Sequence, residues 1–211
     1  MRRLFLLVVV AAAVLAGWYL RDLWTREPEP AAADAEGVVW EPLTMEGAER
    51  ARAAVQQLAR SSGPVFQNIR PGDLASYVYV ELARQLPPSA EDVRAAVIGE
   101  RLYLKAWVRL SEMGAAEVLG PFAGMVSERD TVSFGGTFDI VRPGMAQFRV
   151  RDLRVRELSI PPRYVPRLLA RVRRGAVPEG IAEDGLPLEV PAHIGDVRIA
   201  GGRITLYKNV P

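Results

Sequence analysis

The stretch Arg101–Leu110, RLYLKAWVRL, decides the fold class. In an extended chain Leu102, Leu104, Ala106, Val108 and Leu110 point one way, while Arg101, Tyr103, Lys105, Trp107 and Arg109 point the other. That period-two alternation describes a β-strand with one buried face and one largely wet face. Just before it, Val93, Ala95 and Val97 alternate, and Gly99-Glu100 carries the glycine-first pattern of a tight turn, so the two runs read as a hairpin.

Moving outward, the same signal recurs. Val132, Phe134, Gly136, Phe138 and Ile140 alternate, Arg142-Pro143-Gly144 turns the chain, and Phe148 and Val150 begin a returning strand continued by Leu153, Val155 and Leu158. The apolar phase slips by one between Val150 and Leu153, which predicts a β-bulge near Arg151-Asp152. Pro161-Pro162 ends the strand. A short amphipathic helix follows with Val165, Leu168, Leu169 and Val172 on one face, and the chain closes on a hairpin of Val197 and Ile199, the Gly201-Gly202 turn, then Ile204 and Leu206. Ser111–Arg129, rich in Gly and Ala, reads as a loop with a short helix.

Two helices come first. Thr44–Arg60 has Thr44 as its cap, Glu46 in its first turn and Ala48, Ala51, Val55 and Leu58 as its apolar stripe; Gly47 counts against it. In Asp73–Leu86, Pro71-Gly72-Asp73 leads into an N-cap. Leu74, Tyr77, Val78, Leu82 and Leu86 recur at helical spacing, and Pro87-Pro88 stops the helix. The fold class is therefore α+β: a bent antiparallel sheet of hairpins packed with two to four helices, after one N-terminal transmembrane helix.

That last element rests on Leu4–Leu20, LFLLVVVAAAVLAGWYL, which carries no charge and is at the short end of what crosses roughly 30 Å of hydrocarbon. Arg2 and Arg3 precede it and place the N-terminus in the cytoplasm, while Trp18, Tyr19 and Trp24 suit the outer interface. A cleaved signal peptide is the alternative, with Val14-Leu15-Ala16 as the cleavage site. The apolar run continuing through Trp18-Tyr19-Leu20 favours the anchor. The organisation expected is a signal-anchor over residues 1–24, a Pro-, Ala- and acid-rich linker over 25–38, and one extracytoplasmic domain over 39–211. The location expected is the cytoplasmic (inner) membrane, single-pass, with the domain on the periplasmic side.

Composition narrows the function. A formal net charge of only +2 argues against a dedicated nucleic-acid binder. The chain has no cysteine, which excludes disulfides, thiolate metal sites, a cysteine nucleophile and a lipidation cysteine. The one histidine, His193, precedes a hairpin and reads as an ordinary loop residue. No G-x-S-x-G, H-E-x-x-H, Walker A or G-x-G-x-x-G pattern is present. Glu128, Asp130 and Asp139 form only a modest acidic cluster. No enzyme, cofactor or metal site is expected.

The order of elements resembles a known family. It runs through PGDLASYVYVELARQLP (71–87), VRAAVIGERLYLKAWV (93–108), FDIVRPGMAQFRVRDLRVRELSIPP (138–162), YVPRLLARV (164–172) and LPLEVPAHIGDVRIAGGRITLYK (186–208). Over residues 40–211 this is similar to the bacterial membrane-anchored members of the tubular lipid-binding (TULIP) superfamily, which resemble the SMP domain. The resemblance implies a strongly bent antiparallel sheet wrapped around a long helix, an apolar seam for acyl chains, and no catalytic motif.

The residues permit this reading. Leu102, Leu104, Val108, Phe134, Phe138, Ile140, Phe148 and Val150 make a broad apolar face that a lipid could line. The same residues also describe a closed core, because alternation does not reveal whether the apolar face meets a helix or a lipid. Arg149, Arg151, Arg154, Arg156, Arg167 and Arg171, with Arg163, Arg173 and Arg174, face only Asp152 and Glu157 nearby in the chain. They read either as a solvated surface or as a contact for anionic headgroups. The function expected is lipid binding or shuttling at a membrane, by sequestration and without catalysis. The alternative is an envelope assembly or scaffold protein that binds another protein through its sheet or helices, with outward Tyr103 and Trp107 as its contact.

Overall fold

Thr44 opens the first helix as its place in the sequence predicts. Its hydroxyl accepts a hydrogen bond from the Gly47 N–H at 3.0 Å, satisfying one of the donors left free at a helix start. The computed structural model describes residues 38–82, 90–113, 127–173 and 176–209. In chain order these form β1 (Glu41–Pro42), α1 (Met45–Ala59), β2 (Phe66–Ile69), α2 (Pro71–Leu82), β3 (Glu91–Ile98), β4 (Arg101–Arg109) and a 3-10 turn at Leu110–Met113. Then come β5 (Arg129–Arg142), β6 (Met145–Val155), β7 (Leu158–Ser159), a 3-10 turn at Pro162–Tyr164, α3 (Val165–Val172), β8 (Gly185–Glu189), β9 (Ile194–Ala200) and β10 (Arg203–Lys208).

The class is α+β. The larger sheet runs β1-β3-β4-β5-β6, and β6 carries two partners along its far side, β7 and β8. Every pairing is antiparallel. A second sheet, also antiparallel, has the order β2-β10-β9. The inward residues of β4, with Leu110 after it, are all buried, as their alternation requires. α1 contributes Ala51, Val55 and Leu58 to the same cluster, α2 contributes Leu74 and Ala75, and the second sheet contributes Ile69, Ile199, Ile204 and Leu206. The core therefore lies where one face of the larger sheet meets the helices and the smaller sheet.

Several expectations need correction. α2 begins at Pro71, so Asp73 sits in its first turn and is not its cap. Proline is well placed there, because its missing N–H would have had no helical partner. The carboxylate that reaches a free donor is Glu41, accepting from the Gly72 N–H at 3.2 Å. The returning strand stops at Val155, short of Leu158. Arg156 takes the left-handed conformation (φ 54°) and turns the chain back as β7. β2 and β8 are strands that the sequence pattern does not announce. Pro187 interrupts the signal in β8, and it is tolerated because, among the described residues, β8 is an edge strand paired with β6.

The bulge is where the apolar phase places it. Gly135 pairs with Asp152 and Gly136 with Val150, so Arg151 is the extra residue. Among the described residues no helix is long and apolar enough to cross a membrane. The segment Leu4–Leu20, the linker through Gly37, the end of the second helix with Pro87-Pro88, most of the 111–129 loop and Arg174 lie outside those residues.

Candidate functional site

Leu74, Tyr77 and Val78 fall on one side of α2 because residues three and four apart share a helix face. They do not meet a closed wall. Together with parts of α1, the β5–β6 hairpin, β8 and the β9–β10 hairpin they line a half-open groove of about 1220 Å³. That exceeds the roughly 300–1,000 Å³ typical of clefts for drug-sized molecules. Val55, Leu74, Ala146, Leu188, Ile194 and Leu206 are buried lining residues. Tyr77, Val78, Phe138, Val190 and Val197 are half-buried lining residues. Val197 and Leu206 are direct partners across β9 and β10, which is why both reach the same cavity.

The groove is nearly free of charge. Its charged lining residues are Arg52 on α1, Arg142 at the end of β5 and Glu189 at the end of β8, and all three are exposed. Neither arginine has a carboxylate within ion-pair distance among the described residues.

The residues expected to meet lipid divide between wall and core. Phe138 lines the groove and packs edge-on against Phe148 at 5.1 Å. Phe134 and Ile140 are partly buried against the core. Leu102, Leu104, Val108, Phe148 and Val150 lie within the core itself, covered by other protein groups. Sequence reasoning missed Val78, Val190, Val197 and Leu206 as wall residues. The helical stripe of α2 and the last hairpin carried the signal for three of them.

Part of the arginine-rich segment is paired, while Arg154, Arg163 and Arg167 have no carboxylate within ion-pair distance among the described residues. Arg149 grips Asp184 through two bonds (2.5 and 2.9 Å), and Arg151 reaches the same carboxylate at 3.1 Å. Burial is the largest single influence and works against the Asp184 charge, but the hydrogen bonds from Arg149 and the charges of Arg149 and Arg151 together outweigh it and hold the carboxyl below its usual range. Arg156 pairs with the buried Asp130 at 3.3 Å. Arg173 donates to the carbonyls of Ala182 (3.0 Å), Glu183 (2.6 Å) and Gly185 (2.5 Å), fastening the approach to β8. Arg167 and Arg171 are exposed on α3, and Arg154 is half-buried. The acids that answer these arginines are distant in sequence, which is why only Asp152 and Glu157 seemed to face them.

Tyr103, expected to face outward as a contact, is buried and lies over Gly135. A Cβ on that glycine would fall 2.3 Å from the ring. Its hydroxyl donates to Asp152 at 2.7 Å, and Arg101 pairs with the same carboxylate at 2.6 Å. Burial first, and then Asp152, pushes the phenol up to about 12. Trp107 remains exposed. His193 lies in the turn before β9 with its Nε2 3.0 Å from the Val55 carbonyl, tying that turn to α1. Among the described residues no group of three or more His, Cys, Asp or Glu side chains is placed to hold a metal ion. No protein-family model, curated protein or solved structure matches this chain.

Proposed function

We propose that this protein is a membrane-anchored, extracytoplasmic lipid-binding or lipid-shuttling protein of the TULIP type, with a bent sheet, acting by sequestration and without covalent chemistry. The observation that carries the reading is the groove: a large, half-open cavity lined mostly by apolar residues, with charge confined to three exposed ones. The uncharged run Leu4–Leu20 behind Arg2-Arg3 supports a tether that keeps the domain near a bilayer. The driving force is removal of acyl chain from water. At about 0.8 kcal/mol per methylene, ten buried methylenes contribute roughly 8 kcal/mol before ordering costs.

The test is site-specific photocrosslinking. The full chain, carrying a benzophenone amino acid at Val78 or Val197, is illuminated in its native membrane and purified. Its mass should rise by one lipid. The same probe at Trp107, on the outer face of β4, serves as control. No adduct at either groove position, or equal labelling at Trp107, would overturn the proposal. The scaffold reading keeps one specific support, the exposed indole of Trp107 beside exposed Arg109. It gains if Trp107→Ala impairs cells as severely as loss of the gene.

A further inference from the structure

We infer that the groove selects an amphiphile with an anionic head, its chain in the apolar cavity and its phosphate held at the mouth by Arg52 and Arg142. The inference rests on the lipid-binding reading above and assigns the polar end of the ligand. Many of the domain's other arginines are held by carboxylates. Asp73 takes Arg50 and Arg70, Asp184 takes Arg149 and Arg151, Asp130 takes Arg156, and Asp152 takes Arg101. Arg60, Arg154, Arg163, Arg167 and Arg203 also lack such a pair among the described residues, but of the unpaired arginines Arg52 and Arg142 alone line the groove. These two come from different elements, line one cavity, are exposed, and have no such partner among the described residues.

The remaining chemistry of the lining sharpens the assignment. Besides these two guanidinium groups, the only side-chain donor among the lining residues is the Tyr77 hydroxyl. A guanidinium presents five N–H donors in a planar fork that matches phosphate oxygens, and such charge-assisted bonds are about twice as strong as neutral ones. Glu189 is the one carboxylate on the lining. It sits across from Met145, which in turn pairs with Arg142. Two cations against one anion leave the mouth positive, which favours an acidic head over an uncharged one.

Binding of three fluorescent probes with identical acyl chains tests this on the full chain: phosphatidylglycerol, phosphatidylcholine and diacylglycerol. Phosphatidylglycerol should bind about tenfold more tightly than diacylglycerol. In the Arg52→Gln/Arg142→Gln double variant that ratio should fall to about one. Glu189→Gln, which removes the opposing charge, should widen it. Equal affinities for phosphatidylglycerol and diacylglycerol, unchanged in the double variant, would overturn the headgroup assignment and leave the groove as a lipid site. Failure of all three probes to bind would remove the lipid reading and this inference together. Displacement of the probe by glycerol 3-phosphate at probe-like concentrations would also overturn it, because the mouth would then be an anion site indifferent to the chain.

Discussion

Asp73 keeps a charge in a place that resists one. Burial alone would raise its carboxyl, but paired hydrogen bonds from Arg50 (3.1 and 2.7 Å) and Arg70 (3.0 and 3.1 Å) outweigh that and hold it below its ordinary value. A carboxyl depressed by folding adds stability above its unfolded value, about 3.9, and loses that contribution as pH falls through the folded value. Asp184 behaves alike. Thermal unfolding followed by circular dichroism should therefore give a steady midpoint from neutral pH down to about 5 and a falling one below about 4. Asp73→Asn should cost about 1–3 kcal/mol at neutral pH and flatten part of that acid decline; an unchanged acid profile would show that Asp73 is not a source of it. Gly135→Ala should cost a similar ~1–3 kcal/mol by displacing the Tyr103 ring. It should also bring the phenol down from about 12 towards an ordinary tyrosine, which alkaline absorbance titration reads directly. Sequence patterns are nearly blind at this scale. Gly47 counts against a helix by propensity, yet it is buried where a Cβ would come 3.0 Å from Asp73 Oδ1 and 3.1 Å from Ser76 Oγ. The Arg149–Asp184 pair joins residues 35 positions apart, a spacing no local pattern contains.

The elements were far more legible, because period and phase are local. The alternation of β4, the stripe of α1, the glycine turns and the slip that becomes the Arg151 bulge all follow from side-chain direction. What covers an apolar face does not. Leu102 and Leu104 carry the same signal as Phe138, and only the arrival of helices and a second sheet separates core from groove. That separation makes a prediction. Val78→Glu, on the open side of α2, should leave the far-ultraviolet spectrum and thermal midpoint close to those of the parent and abolish lipid retention in extracted protein. Leu104→Glu, in the closed core, should prevent folding, since an unpaired buried charge costs several kcal/mol. If Leu104→Glu folds normally and only Val78→Glu fails to fold, the division into wall and core is wrong.

For the whole molecule, the expected tether sets the geometry of action. A phosphatase fused after Pro211 should be active in the extracytoplasmic space, the same reporter fused before Met1 should be inactive, and the protein should resist alkaline carbonate extraction. Release by carbonate would show that Leu4–Leu20 does not span the bilayer. At one flank of the larger sheet the scaffold alternative, with a partner strand added, meets an obstacle. Along its far side β6 is engaged by β8 at Met145–Arg149 and by β7 at Arg154–Val155. Between them Val150 donates to the Asp184 carbonyl and Leu153 accepts from Ile160, each at 2.8 Å. Only the bulged stretch around Arg151 is left, and it bears charge. A foreign strand arriving there finds no run of free amides to copy, so this flank is a poor seed for amyloid-like stacking even where tethering crowds many domains onto one surface.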